Sequence, residues 1–242
     1  MNDFAKSLED ITVVALCGGK GERLRPFTDT VPKPLVELHG RPLLEHLLSF
    51  LSASGLRKFA ICTGYKAEAI HEFVARKGAA FGELHCVDSG ESAAMCDRVL
   101  DARKRIRGRA LVCYGDTLAN VSVPALVAAH EASGAKATVA VYPLTSPFGI
   151  VAFDERHRVT QLQEKPVLPY WINIGFLLLE PEALDRLRRG TDLVSYMDQL
   201  ATDSSLGVFL HSGQHLTVNT EKERADAEKE IEFFTLMEGK TS

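Results

Sequence analysis

Short β-branched runs alternate with longer stretches of helical periodicity over the first two thirds of the chain. ITVVALC (11–17), KFAICT (58–63), ELHCVD (83–88) and RALVCY (109–114) read as strands of a mainly parallel sheet. Between them, PLLEHLLSFLSAS (42–54) and KAEAIHEFVARK (66–77) repeat apolar residues at helical spacing, and ESAAMCDRVLDARKRI (91–106) does so more weakly. They read as crossover helices. This alternation predicts βαβ units and an α/β fold of three layers, α/β/α, around a mainly parallel, Rossmann-like mixed sheet.

After AKATVAVYP (135–143) the pattern changes. GIVAFD (149–154), HRVTQLQEK (157–165) and YWINIGFLLLE (170–180) are separated by short turns, as in a mixed sheet edge or a lid over a ligand. NTEKERADAEKEIEFFTLME (219–238) predicts a terminal helix, with Thr220 as its cap and glutamates in its first turn. Its FFTLM end is apolar enough to dock on the body or on another subunit. With no internal repeat, low-complexity segment or Pro/Gly/Ser linker, the expectation is one domain over 1–242.

Composition narrows the function. At 242 residues, 45% hydrophobic and 25% charged, the chain can bury the core of one α/β domain. Its five cysteines include no C-x-x-C pair and suggest buried thiols in a reducing compartment, against a disulfide framework or a zinc site. MNDFAKSLED is too polar and acidic for a signal peptide, and no apolar run approaches the roughly 18–20 residues of a membrane span. A soluble, cytoplasmic protein with no membrane contact is expected.

A net charge of −4 argues against nucleic-acid binding. The local balance differs: from Lys20 to Arg41, five basic residues against three acidic ones leave +2, which suits a small polyanion. A second basic cluster, Arg98 to Arg109, reads as a solvated helix face. His211 and His215 fall in a strand and turn around Gly213, so they share no helical face for zinc.

The stretch CGGKGERLRPFTDTVPKPL (17–35) carries the chemistry. A strand that ends in Gly18 and Gly19 releases its backbone at the carboxyl edge of a parallel sheet, where open α/β folds bind ligands. A Walker A loop is absent, and the dinucleotide pattern fails because Leu24 stands where the third glycine belongs. Arg23 and Arg25 offer forked donors that match phosphate oxygens. Lys33, held between Pro32 and Pro34, reads as a presented lysine.

GGKGERLRPFTDTVPKPL resembles the signature of the sugar-1-phosphate nucleotidyltransferases, G-G-x-G-[TE]-R-L-x-P-x-T followed by P-K-P, and the likeness runs from about Ile11 to Glu228. The resemblance implies the nucleotide-diphospho-sugar transferase type of fold, with 11–145 as nucleotide-binding core, 146–219 as sugar-phosphate part and 220–242 as C-terminal helix. It implies an NTP held by Leu16, Gly18, Gly19, Gly21, Arg23 and Lys33. A Mg²⁺ would be held by Asp116 of YGDT. The sugar 1-phosphate would meet Gly149 of FGIV, Glu164 and Lys165 of QEKP, and Asn173 and Gly175 of WINIG. Arg23, Lys33, Asp116 and Lys165 are the catalytic candidates.

VDSGESAAMCDRV is similar to a segment of the glucose-1-phosphate cytidylyltransferases, which implies Asp88, Ser89 and Gly90 near the base and CTP as substrate. The longer insertion those enzymes carry before this segment is missing. So is the family's second metal carboxylate, where HLTVNTEKER offers Thr217 and Asn219; Asn219 becomes the second metal candidate. Alternatives are guanylyl, uridylyl or thymidylyl transfer to a sugar, heptose or cyclitol phosphate, and a non-catalytic nucleotide-sugar-binding regulatory subunit. A related glycosyltransferase would need Asp-x-Asp, but Thr117 and Leu118 follow Asp116. Family members commonly assemble, and the resemblance admits a homo-oligomer.

Overall fold

The computed structural model describes residues 8–238, with side chains for residues 8–231. Its strands in chain order are β1 (Thr12–Leu16), β2 (Glu37–Leu38), β3 (Arg41–Pro42), β4 (Lys58–Thr63), β5 (Glu83–Asp88), β6 (Ala110–Tyr114), β7 (Thr117–Ala119), β8 (Ala137–Thr145), β9 (Ile150–Phe153), β10 (Val159–Gln163), β11 (Val167–Leu179), β12 (Leu206–Leu210) and β13 (His215–Thr217). Seven form the main sheet in the order β12-β8-β11-β6-β1-β4-β5. Within it, β11 runs antiparallel to β6 and β8, and the other pairings are parallel. The α/β fold with a mainly parallel mixed sheet is therefore the one the sequence predicts.

Side-chain alternation along the strands divides the core in two. Val13, Phe59 and Leu111 join the side that holds the helices Leu43–Ala53, Ala67–Lys77 and Val123–Ser133. Val14, aligned with Ala60 of β4 and Val112 of β6, faces the side of the helices Met95–Ala102 and Leu193–Thr202. Both faces of the central strands are covered, which is why their sequence is continuously apolar.

Some elements differ from the sequence reading. The helix expected over 91–106 is confined to Met95–Ala102 and tightens into a 3₁₀ turn at Arg103–Arg105, because Ala94 is extended and its N–H goes to the Asp97 carboxylate at 3.3 Å. The helices Val123–Ser133 and Leu193–Thr202 were not expected. Each has a polar cap: Ser122 Oγ accepts from Ala125 N–H at 3.3 Å, and Asp192 accepts from Ser195 N–H at 2.9 Å. β12 was also missed.

The terminal helix, Glu221–Glu238, starts where predicted. Thr220 Oγ1 accepts from Glu223 N–H at 3.2 Å, and the Glu223 carboxylate accepts from Asn219 N–H at 2.8 Å. The side chains of FFTLM lie outside the described residues. All five cysteines are free thiols, and burial pushes Cys62 up to about 12 and Cys96 up to about 11, so neither is a nucleophile at neutral pH.

Candidate active site

β1 and β6 run side by side and release their chains at the same edge of the sheet, with Gly115 N–H donating to Leu16 O at 3.0 Å. There they open a cleft of about 580 Å³. Its wall includes Leu16, Gly18, Gly19 and Gly21 from the β1 exit, Arg23 and Lys33 from the following loop, and Tyr114, Asp116 and Asn219. At Gly21, φ is +62° and an added Cβ would lie 2.8 Å from Lys33 Cβ, so this position requires glycine. Thr28 Oγ1 donates to Gly21 O at 3.1 Å and closes the loop.

Lys33 is pinned, not presented: only 7% exposed, it donates from Nζ to Asp116 Oδ2 at 2.6 Å and to Asn219 Oδ1 at 2.9 Å. The flanking prolines fix the backbone, but the burial comes from residues far along the chain. Arg23 Nη2 donates to the same Asn219 oxygen at 3.1 Å. The pairing of β7 with β13, Thr117 opposite Thr217, brings Asn219 beside Asp116. Thr217 itself is exposed and does not line the cleft. Arg25 does not line it either and pairs with Asp29 at 3.2 Å.

Asp116 Oδ2 and Asn219 Oδ1 converge on one ammonium, so hard oxygen donors already surround a cationic position. Such a set fits Mg²⁺, which binds through one or two carboxylates plus substrate phosphates. Among the described residues, no group of three or more His, Cys, Asp or Glu side chains could hold a metal by itself.

The basic cluster after residue 97 is not uniformly a solvated face. Arg98 is 4% exposed and spends its guanidinium on backbone carbonyls: Thr63, Gly18 at 3.3 Å, Gly90 at 3.0 Å and Glu91 at 3.4 Å. It ties the ends of β1, β4 and β5 together at the cleft floor. Asp88, Ser89 and Gly90 sit behind it, with Gly90 N–H on the Asp88 carboxylate at 3.0 Å; Glu91, Ala93 and Met95 line the cleft instead.

The sugar-side residues divide into two groups. Asn173 and Gly175 adjoin the cleft through Tyr114: Asn173 Nδ2 donates to Tyr114 Oη at 3.5 Å, and Asn173 Oδ1 accepts from Gly175 N–H at 2.8 Å. Gly175 has φ +76°, and a Cβ there would lie 2.4 Å from the Tyr114 ring. Burial, with Asp116 nearby, raises the Tyr114 pKa, so its hydroxyl keeps its proton at neutral pH. Tyr114 is a cleft residue that the sequence reading missed; its place directly before Gly115-Asp116 was the available signal. Gly149, Glu164 and Lys165 form the second group. Gly149 lies close to Glu164 Oε2, but these three are exposed and do not line the cleft.

A cationic, glycine-walled crease at the carboxyl edge of parallel strands defines an α/β protein built to receive phosphorylated ligands. The chain belongs to the nucleotidyl transferase family, whose model matches residues 12–211, among the sugar-1-phosphate nucleotidyltransferases that its opening motif resembles. It is 29% identical over 240 residues to a probable glucose-1-phosphate cytidylyltransferase of Bacillus subtilis, covering 89% of this chain and 94% of that one. It is 31% identical over 229 residues to the glucose-1-phosphate cytidylyltransferase of Salmonella typhimurium, covering 83% and 88%. A mannose-1-phosphate guanylyltransferase of Mycobacterium tuberculosis is 32% identical over 189 residues, covering 76% of this chain and 52% of that protein. Among solved structures, HddC from Yersinia pseudotuberculosis superposes with a TM-score of 0.73 at 19% identity, covering 91% and 99%. A thymidylyltransferase-like protein of Bacillus anthracis gives 0.73 at 17%, covering 90% and 94%. These two likenesses concern the fold.

Proposed function

We propose that this protein, a sugar-1-phosphate nucleotidyltransferase by family, transfers a cytidylyl group from CTP to glucose 1-phosphate. The observation that carries the reading is the junction of Lys33, Arg23, Asp116 and Asn219 beside the glycine loop. CTP is favoured over GTP, UTP and dTTP by the VDSG segment and by the relatives that align over most of their length.

A phosphate oxygen of the sugar 1-phosphate attacks the α-phosphorus of the NTP. A new P–O bond forms, the bond to the bridging αβ oxygen breaks, and pyrophosphate leaves with the electron pair. The nucleophile is already anionic, so no side chain must take a proton. Catalysis then rests on holding two anions in line and offsetting charge on the leaving group.

Arg23 and Lys33 supply fixed and buried positive charge to the triphosphate, while the loop from Gly18 to Gly21 lets the backbone approach it. Tyr114 and Asn173 border the sugar half, and Lys165 would bring the attacking phosphate. Asp116 and Asn219 would hold Mg²⁺ together with phosphate oxygens and water. When bound, the ion would neutralise triphosphate charge and act as a Lewis acid. The free thiols suit a reducing compartment such as the cytoplasm. Among the described residues, no helix is long and apolar enough to cross a membrane.

The test crosses CTP, GTP, UTP and dTTP with a panel of sugar 1-phosphates under Mg²⁺ and measures pyrophosphate release. The highest kcat/KM is expected with CTP and glucose 1-phosphate. Preference for another nucleotide would overturn the CTP assignment alone; nucleotide binding without pyrophosphate release from any pair would overturn the transferase reading.

A further inference from the structure

Trp171 is the only tryptophan of the chain, and it stands 49% exposed. β11 runs antiparallel to both β6 and β8, so its first residues lie at the carboxyl ends of those strands, the edge where the cleft opens. Over this stretch Trp171 pairs with Pro143, Ile172 with Tyr142 and Asn173 with Val141. Trp171 and Asn173 therefore share one face of the sheet, roughly 7 Å apart along the strand. Ile172 and Tyr142 turn to the other face and pack on the core there.

The face of Trp171 is also the face of Tyr114, whose hydroxyl accepts from Asn173 Nδ2 at 3.5 Å. It continues over Pro143 and Val141 of β8 to Leu210 of β12, which is aligned with Val141 and is 56% exposed. Tyr114 lines the cleft, so the cleft floor extends from it past one amide, Asn173, onto an apolar shelf of Trp171, Pro143, Val141 and Leu210. None of the four shelf residues is charged. The cations suited to phosphate, Arg23 and Lys33, come from the loop after β1, on the other flank of β6.

An amide beside an aromatic shelf suits a ligand that is polar around its rim and apolar on its face. A pyranose ring has this form. Its hydroxyls radiate outward while C–H bonds cover its faces, and those C–H bonds are drawn to the electron-rich face of an indole. The Trp171 indole N–H donates to no protein atom among the described residues and is free for a hydroxyl at the rim.

We propose that Trp171 selects the acceptor by stacking on the ring of the sugar 1-phosphate, with Asn173 meeting a hydroxyl at its edge. The inference rests on the nucleotidyl transfer assigned above and adds to it the residue that recognises the acceptor as a ring.

Because the chain has one tryptophan, emission excited beyond the tyrosine band reports on this side chain alone. Wild type is assayed for pyrophosphate release with CTP and glucose 1-phosphate, then titrated with CDP-glucose and, separately, with CDP; for another preferred pair, the matching nucleotide sugar and nucleoside diphosphate serve. CDP-glucose should change the emission saturably, and CDP, which lacks the ring, should not. Trp171→Ala, Trp171→Leu and Trp171→Phe are compared in steady state, with far-UV circular dichroism to check folding. The KM for glucose 1-phosphate should rise roughly tenfold in the Ala and Leu variants and stay near wild type in the Phe variant, with the KM for CTP unchanged in all three. Equal emission changes with CDP and CDP-glucose, an unmoved KM in Trp171→Ala, or a Leu variant as good as the Phe variant would overturn the stacking and leave the transferase reading intact. No pyrophosphate release by wild type from any NTP and sugar 1-phosphate would overturn that reading, and the inference with it.

Discussion

Lys33 and Asn219 stand 186 positions apart in the chain, yet the lysine ammonium donates to the Asn219 amide oxygen at 2.9 Å. The same ammonium also donates to Asp116 Oδ2 at 2.6 Å. The cleft wall thus holds a buried cation shared between one carboxylate and one amide, whose oxygen also accepts from Arg23. If charge here offsets charge on a departing pyrophosphate, Asp116→Asn and Arg23→Ala should each lower kcat/KM by roughly 100-fold or more. Steady-state pyrophosphate release checks this. Near wild-type rates in both variants would remove the proposed roles.

Asp116→Asn should also cost stability, because it leaves Lys33 buried without its counter-charge. Breaking a fully buried pair costs about 3–5 kcal/mol, and the 33% side-chain exposure of Asp116 reduces this to about 1–3 kcal/mol. Urea titration should show a lower midpoint for Asp116→Asn, partly restored in Lys33→Met/Asp116→Asn. A double variant no more stable than Asp116→Asn would show that the pair is not the cause.

Arg98 makes a different prediction. Its guanidinium satisfies carbonyls of Gly18, Thr63 and Gly90 at 4% exposure. Arg98→Met leaves Gly90 O without this donor, while Gly18 O keeps Tyr65 N–H at 3.1 Å and Thr63 O keeps Ser89 N–H at 3.3 Å; the orphaned acceptor costs about 1–3 kcal/mol where water cannot reach it. Arg98→Lys keeps the charge but not the fork, and should fall between wild type and Arg98→Met. Thermal melting of the three proteins gives the order; equal melting temperatures would refute the clamp.

Acid should destabilise the protein through His215. Burial, with His211 nearby, lowers its pKa from 6.5 to about 4, while Tyr142 packs against its ring at 5.4 Å. Below pH 6.5 the unfolded chain binds a proton that the folded chain refuses until about pH 4. The contribution of neutral His215 is therefore full above 6.5 and lost as pH falls through that window. His46, also lowered by burial, acts in the same direction. Relative to His215→Gln, the melting temperature of wild type should drop by several degrees between pH 6.5 and 4. Parallel curves would exclude His215 as the cause.

These sites show what the sequence could and could not reveal. β1 and its glycine exit were legible because a buried parallel strand is continuously apolar and a phosphate loop needs Gly18 to Gly21 in series. The terminal helix was legible because Thr220 and Glu223 are local cap residues. The burial of Lys33 was not, since Pro32 and Pro34 constrain only the backbone while Asp116 and Asn219 arrive through β6 and the β7–β13 pair. Arg98 sat in a basic helical run, where an arginine reads as solvated; only the crossing of three strand ends makes it a clamp. The helix Val123–Ser133 did carry signals, with Ser122 as cap, Gly134 past its end, and Val123, Leu126, Val127 and His130 at helical spacing on its buried side.

Asn219 gives the sharpest test of the proposed metal role, because it stands where the resembled family places a carboxylate. An amide oxygen can ligate a cation but neutralises none of its charge, and here it also accepts from Arg23 and Lys33. Asn219→Asp adds a charge of nearly the same shape, with both donors already in place to solvate it. If Asp116 and residue 219 share Mg²⁺, the concentration for half-maximal turnover should fall by about tenfold, equivalent to about 1.4 kcal/mol of added metal binding. If residue 219 serves only to anchor Arg23 and Lys33, the Asp variant should tighten those contacts, raise the melting temperature in the absence of metal and leave the Mg²⁺ dependence unchanged. A Mg²⁺ titration of turnover beside a metal-free melt separates the two, and an unchanged half-maximal concentration would restrict the metal role to Asp116.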